Sequence, residues 1–162
     1  MGSAMAAGMS GKDIREHAIS VLSDRTQVMN RLWQLRPKTL TGVLKGAFRL
    51  TQFDVERILV AFMPKQVPAS FEELQIPLQV TAKDFYGHSE VVFSSGDLFN
   101  AVAASAAIPA LFRPVLRDGR ILIDGGIYNP VPFDLLDGKA DFVVAIDVVG
   151  GPEGDAGRMP GS

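Results

Sequence analysis

Three apolar stretches of the sequence run into an aspartate: Ile76 to Asp84, Arg120 to Asp124, and Asp141 to Asp147. In open α/β sheets, ligands bind in the crevice beyond the carboxyl ends of strands. Each of these aspartates is therefore a candidate acid or base. A plainer use competes, because Asp side chains also start turns and cap helices. Local sequence separates the three. Asp124 is followed by Gly125 and Gly126, so the backbone can turn sharply and leave the carboxylate unobstructed. Asn129-Pro130-Val131-Pro132 then stiffens the loop, since each proline restricts its own torsion and that of its predecessor. One carboxylate held on a rigid loop suits a general base. Asp84 opens a turn and Asp147 leads into a Gly/Pro-rich stretch, so structural roles fit both better.

Other reactive side chains are few. The absence of cysteine excludes disulfides, thiolate chemistry and cysteine-based zinc sites, and it fits a reducing, cytoplasmic setting. Neither His17, on the polar side of a helix, nor His88, in a turn, has the setting of a triad imidazole. Both read as solvated. Ser10 with Asp13 reads as a helix cap. Ser105 lies among alanines on an expected helix, without the strand-to-helix turn that exposes a nucleophile. No ligand cluster or phosphate loop occurs, so no metal or cofactor is expected. Arg113 in Phe-Arg-Pro fits a phosphate head group or an ordinary surface charge.

The elements that must position these residues follow from patterning. Ser10 caps a helix with Ile14, Ala18, Val21 and Leu22 on one face. Thr26 to Leu35 continues as helix until Pro37. Leu40 to Leu50, interrupted by Gly42 and Gly46, reads as irregular, and packing is the expected role of Trp33 and Phe48. Thr51 with Asp54 repeats the capping signal before Val55, Ile58, Leu59 and Phe62. Beyond Pro68 the character changes. Ser70 to Leu74 is a helical turn, and Ile76 to Asp84 and Glu90 to Ser94 pair as a hairpin around Tyr86-Gly87-His88. Asp97 to Ala107 is an alanine-rich helix suited to very close packing. Arg120 to Asp124 is a strand and Phe133 to Leu136 a short helix. The unbroken apolar run Phe142-Val143-Val144-Ala145-Ile146 reads as a strand buried on both faces. Helices and strands in this order indicate a layered α/β domain.

The chain has 162 residues, 47% hydrophobic and 21% charged, with a formal net charge of −2. That length suits one domain with a real core. The balance of charge argues against nucleic acid as a partner, which usually shows as a basic excess. No apolar run approaches a membrane span. We expect residues 1–149 to form the domain and 150–162 a flexible Gly/Pro-rich tail. Met1 to Met5 reads either as a cloning remnant or as part of a small-residue helix.

Longer blocks carry a resemblance. Ala104-Ser105-Ala106-Ala107-Ile108-Pro109-Ala110-Leu111-Phe112-Arg113-Pro114-Val115 resembles a block of bacterial patatin-like phospholipases. So does Ile123-Asp124-Gly125-Gly126-Ile127-Tyr128-Asn129-Pro130-Val131-Pro132, followed by Ala140 to Asp147. Ile76 to Ser95 and Ala6 to Gly11 are similar to segments of the same family, in order and at compatible spacing. The resemblance implies a three-layer α/β/α fold and a lipid acyl hydrolase with a Ser–Asp dyad. Asp124 is then the base in its Asp-Gly-Gly motif with Gly125 and Gly126. The nucleophilic serine of that family sits in a G-x-S-x-G elbow, which occurs nowhere in this sequence. In Gly8-Met9-Ser10-Gly11, Lys12 stands where the last glycine should be. The expectation is that the serine, the oxyanion glycines and the first strands lie upstream of Met1, and that this chain alone is inactive. The resemblance further implies a lipid or phospholipid substrate, transient contact with a membrane surface, and self-association through exposed sheet edges. A non-catalytic binding module on the same fold is the alternative.

Overall fold

The computed structural model describes residues 1–23, 26, 28–30 and 54–147. Trp33, Phe48, the Leu40 to Leu50 segment, the Thr51 cap and the 150–162 tail lie outside the described residues, as does most of the Thr26 to Leu35 helix.

Two helices open the chain, α1 (Gly2–Ala6) and α2 (Gly11–Ser23). The start of α2 is fixed by a reciprocal cap. The Asp13 amide donates to Ser10 Oγ at 3.2 Å, and the Ser10 amide donates to Asp13 Oδ2 at 3.2 Å. This leaves Ser10 committed to the helix end, as its spacing predicts. Helix α3 (Val55–Phe62) begins at Asp54, whose carboxylate accepts from the Arg57 amide. His17 is half-buried and has a protein partner, where the sequence reading expects a solvated side chain. Its Nε2 lies 2.9 Å from the Phe62 carbonyl oxygen, so it ties α2 to the end of α3. The sequence reading puts it on the polar side of the helix, whereas its half-burial groups it with Ile14, Ala18 and Val21 on the inward stripe.

Among the described residues the sheet has four strands: β1 (Val80–Asp84), β2 (Glu90–Phe93), β3 (Val115–Arg117) and β4 (Arg120–Asp124). Their order is β2-β1-β4-β3 and every pairing is antiparallel. Between β2 and β3 runs helix α4 (Leu98–Ser105), capped by Asp97, whose Oδ1 accepts from the Asn100 amide. Opposed residues share a face of a sheet. Val80, Ala82, Phe93, Val115 and Leu122 thus form one face, and it meets Leu98, Ala101 and Ala104 of α4. Ala82, Ala101, Ala103, Ala104 and Ala107 are wholly buried. Alanine lets the helix lie close to the sheet, where larger side chains would hold it away. The result is the expected mixed α/β sheet with flanking helices.

Two expectations are corrected. Residues 142–147 form no strand, and Phe142, Val144 and Ile146 are 83%, 68% and 76% exposed. An apolar run states what a segment would bury. A strand also needs a free edge in register beside it, and among the described residues neither β2 nor β3 pairs with this one. The second correction concerns a shared carboxyl end. Because β1 and β4 are antiparallel, with Ala82 opposite Asp124 and Asp84 opposite Leu122, the two aspartates sit at opposite ends of their ladder. Strand β3 was missed. Its signal was Asp118-Gly119, whose φ values of 50° and 73° are those of a tight two-residue hairpin turn.

Candidate active site

Asp124 is the last residue of β4, and its backbone is fixed before its side chain is considered. Its amide donates to the Ala107 carbonyl at 3.1 Å, joining the strand end to the segment that leaves α4. The chain then turns through a short 3-10 helix (Gly125–Ile127). Gly125 is required there. A Cβ at this position would stand 2.6 Å from the Thr81 carbonyl oxygen and 2.9 Å from Thr81 Oγ1, so the turn presses directly against β1. The Tyr128 and Asn129 amides both donate to the Gly125 carbonyl, at 2.9 and 3.0 Å. Asn129 Nδ2 donates to Asp134 Oδ1 at 3.0 Å, so the proline-bearing loop is closed on itself.

The Asp124 carboxylate is half-buried. Oδ1 accepts from the Gly126 amide at 2.8 Å. Oδ2 has no hydrogen bond or ion pair among the described residues. One oxygen is thus anchored and the other is available, a usable arrangement for a group that must accept a proton. Asp84 contrasts with it. Its Oδ1 accepts from the Tyr86 and Gly87 amides at 3.1 and 2.9 Å, and its Oδ2 lies 3.9 Å from Arg120 Nε. One oxygen serves the hairpin turn and the other faces a cation on β4. Asp147 lies in the 142–147 stretch, which forms no strand.

The remaining candidates are dispersed. Ser105 is the last residue of α4, on a helix and not in an elbow. His88 is exposed in the β1–β2 turn with φ 52°. Arg113 is exposed. No cluster of His, Cys, Asp and Glu able to hold a metal occurs among the described residues.

A cavity of about 850 Å³ has Thr81 in its lining, on the sheet face opposite to that of Ala82 and Asp124. Its apolar wall comes from Phe71, Leu74, Leu78, Pro132, Leu135 and Leu136. Asp124 is not in that wall, but Thr81, which backs Gly125, is. The cavity and Thr81 were invisible to sequence reasoning, because nothing near Thr81 marks it as the neighbour of a glycine on another strand. Lys83 stands over the ring of Tyr128, 5.2 Å from its centroid, on the sheet face away from α4.

Comparison with known proteins decides the family. The Patatin family, described as patatin-like phospholipase, matches residues 1–137. The chain belongs to the patatin-like phospholipase family. The matched region includes α1, the 3-10 turn at Asp124 and the short helix Phe133–Leu136. Among its relatives is an uncharacterised NTE family protein of Mycobacterium tuberculosis, 38% identical over 102 residues, covering 62% of this chain and 28% of the relative. Patatin-like phospholipase domain-containing protein 7 of Rattus norvegicus is 28% identical over 151 residues, covering 91% of this chain and 10% of the relative. Patatin-like phospholipase domain-containing protein 6 of Homo sapiens is 29% identical over 139 residues, covering 78% of this chain and 10% of the relative. The chain therefore spans less than a third of the length of these curated relatives.

Proposed function

We propose that this chain carries the base of a lipid acyl hydrolase. Asp124 forms a dyad with a serine that lies in a preceding segment. The observation behind this reading is the Asp124 carboxylate, held at a strand end by Gly126 with its second oxygen available, in a chain of the patatin-like phospholipase family. In the reaction, the serine oxygen attacks the ester carbonyl carbon and Asp124 takes the hydroxyl proton. The tetrahedral intermediate collapses, the alcohol leaves with that proton, and an acyl-serine remains. Water then attacks the acyl carbonyl while Asp124 accepts its proton, and the released serine recovers it. No histidine is needed, in keeping with the positions of His17 and His88.

The test uses an extended protein that joins this chain to its upstream segment. That protein should hydrolyse a short-chain nitrophenyl ester, and Asp124→Asn should lower turnover by about 10⁴-fold, the scale seen for the equivalent change in a triad enzyme. The 162-residue chain alone should match a buffer blank, since each absent oxyanion donor is worth about 10²–10³ in rate. Fluorophosphonate-sensitive turnover by the chain alone would assign the nucleophile to a serine within it. An extended protein indifferent to Asp124→Asn would make the aspartate structural.

A further inference from the structure

Strand β1 meets the Asp124 turn at two points, both on the sheet face away from α4. Alternation along the strand puts Thr81 and Lys83 on that face. Thr81 backs Gly125, the residue after Asp124. Lys83 reaches the far end of the turn, where its Nζ lies over the Tyr128 ring, 5.2 Å from the centroid. Tyr128 is the residue on which the 3-10 turn closes, its amide donating to the Gly125 carbonyl at 2.9 Å. Acidic partners stand near Lys83 on the sheet. Glu90 is directly opposite it on β2, and Asp84 follows it on β1. Yet no ion pair joins Lys83 to a carboxylate among the described residues. Glu90 Oε1 is enclosed without a hydrogen-bond partner among them. An enclosed oxygen left unpaired costs stability, so Lys83 is held at the turn against the pull of the facing carboxylate.

We propose that Lys83 is a positioning residue for the catalytic base, its cation–π contact with Tyr128 holding closed the turn in which Gly126 orients Asp124. The role of Asp124 as base rests on the acyl-hydrolase reading, whereas the clamp rests on the turn itself. Lys83 fixes the Tyr128 ring, and the Tyr128 and Asn129 amides close on the Gly125 carbonyl. Within that closed turn the Gly126 amide donates to Asp124 Oδ1 at 2.8 Å. Anchoring Oδ1 aims Oδ2. A turn that opens at Tyr128 frees the carboxylate to rotate, and the base then spends less time aligned with the proton it must take. Lys83 acts from the sheet face opposite to Asp124, so its effect belongs to kcat and not to KM.

The first readout is amide exchange in the 162-residue chain, followed residue by residue by NMR. Lys83→Met keeps a long side chain and removes its charge. It should speed exchange at Gly126 and Tyr128 about two- to fivefold, the factor that an exposed cation–π contact is worth. Lys83→Arg and Tyr128→Phe keep a cation and a ring, and both should exchange as the parent chain does. The Asn100 amide, bonded to Asp97 at the start of α4, is the control and should not change. Tyr128→Leu should reproduce the effect at Gly126, and Lys83→Met added to it should do nothing more; this variant decides the matter if Lys83→Met fails to fold. The second readout is turnover by the extended protein. Lys83→Met should lower kcat by the same factor with KM unchanged, and Lys83→Arg should restore it. Gly126 exchange unmoved by Lys83→Met would overturn the proposal. So would an equal change at Asn100, which marks general loosening, or a kcat that Lys83→Met leaves alone in an active extended protein. An esterase-inactive extended protein beside the expected exchange at Gly126 would instead refute the dyad and leave the clamp on the turn standing.

Discussion

Asp84 and Asp124 are the same residue at the end of two neighbouring strands, and their surroundings give them different chemistry. Asp84 gives one oxygen to two amides of its own turn and turns the other toward Arg120. Asp124 gives one oxygen to Gly126 and keeps the other. The glycine between them in the turn does the positioning. Gly125→Ala would place a methyl group 2.6 Å from the Thr81 carbonyl, and backbone cannot yield as a flexible side chain does. We expect a loss of about 1–3 kcal/mol of stability, read as a lower urea midpoint. Gly119→Ala tests a different cause. No atom would lie within 4 Å of the new Cβ, but φ is 73°, so its cost of about 1 kcal/mol should be strain alone.

Among the elements, α4 carries the greatest share of buried contact with the sheet. Leu98 and Leu122 are, among the described residues, the largest fully buried side chains, and both belong to the core cluster between α4 and the sheet. Leu98→Ala should cost about 2–5 kcal/mol, because alanine-lined surroundings have little side chain to move into the void. Thermal melts of the folded chain check it. A second device holds the loop before α4. The Ser70 hydroxyl bonds to the Glu72 carboxylate, whose Oε1 also accepts from the Gly96 amide at 2.8 Å. The Ser70 hydroxyl and then the Gly96 amide hold the Glu72 carboxyl below the usual glutamate range. A lowered folded pKa means that the unfolded chain binds the proton more readily. The contribution is therefore complete above the ordinary glutamate pKa and lost as pH falls through the folded value. Stability measured against pH should show this acid-side loss, and Glu72→Gln should flatten it.

For the molecule as a whole, the relevant surface is apolar and lies at sheet edges. Strands β2 and β3 each have an outer edge without a strand partner among the described residues. Residues 142–146 expose Phe142, Val144 and Ile146. Unpaired edges and exposed β-branched runs invite pairing between chains. Light scattering should show association that grows with concentration, and Val144→Lys should reduce it by placing charge within the run. A monomer unchanged across concentrations would count against this. No described helix is long and apolar enough to cross a membrane.

What was legible in the sequence was local. The Ser10–Asp13 cap, the short helix at Phe133–Leu136 and the Asp-Gly-Gly turn at Asp124 each depend on torsions and hydrogen bonds spanning a few residues. The same locality explains why Asp124 stood out from Asp84 before any fold was known. What only the tertiary structure decided was long-range. It set the antiparallel order that sends Asp84 and Asp124 to opposite ends, the His17 link to Phe62, the Thr81 contact behind Gly125 and the exposed 142–146 run. Hydrophobic periodicity fixes which face of an element seeks cover. The partner and register that supply it depend on closing loops between distant segments, and no residue pattern within one segment encodes that.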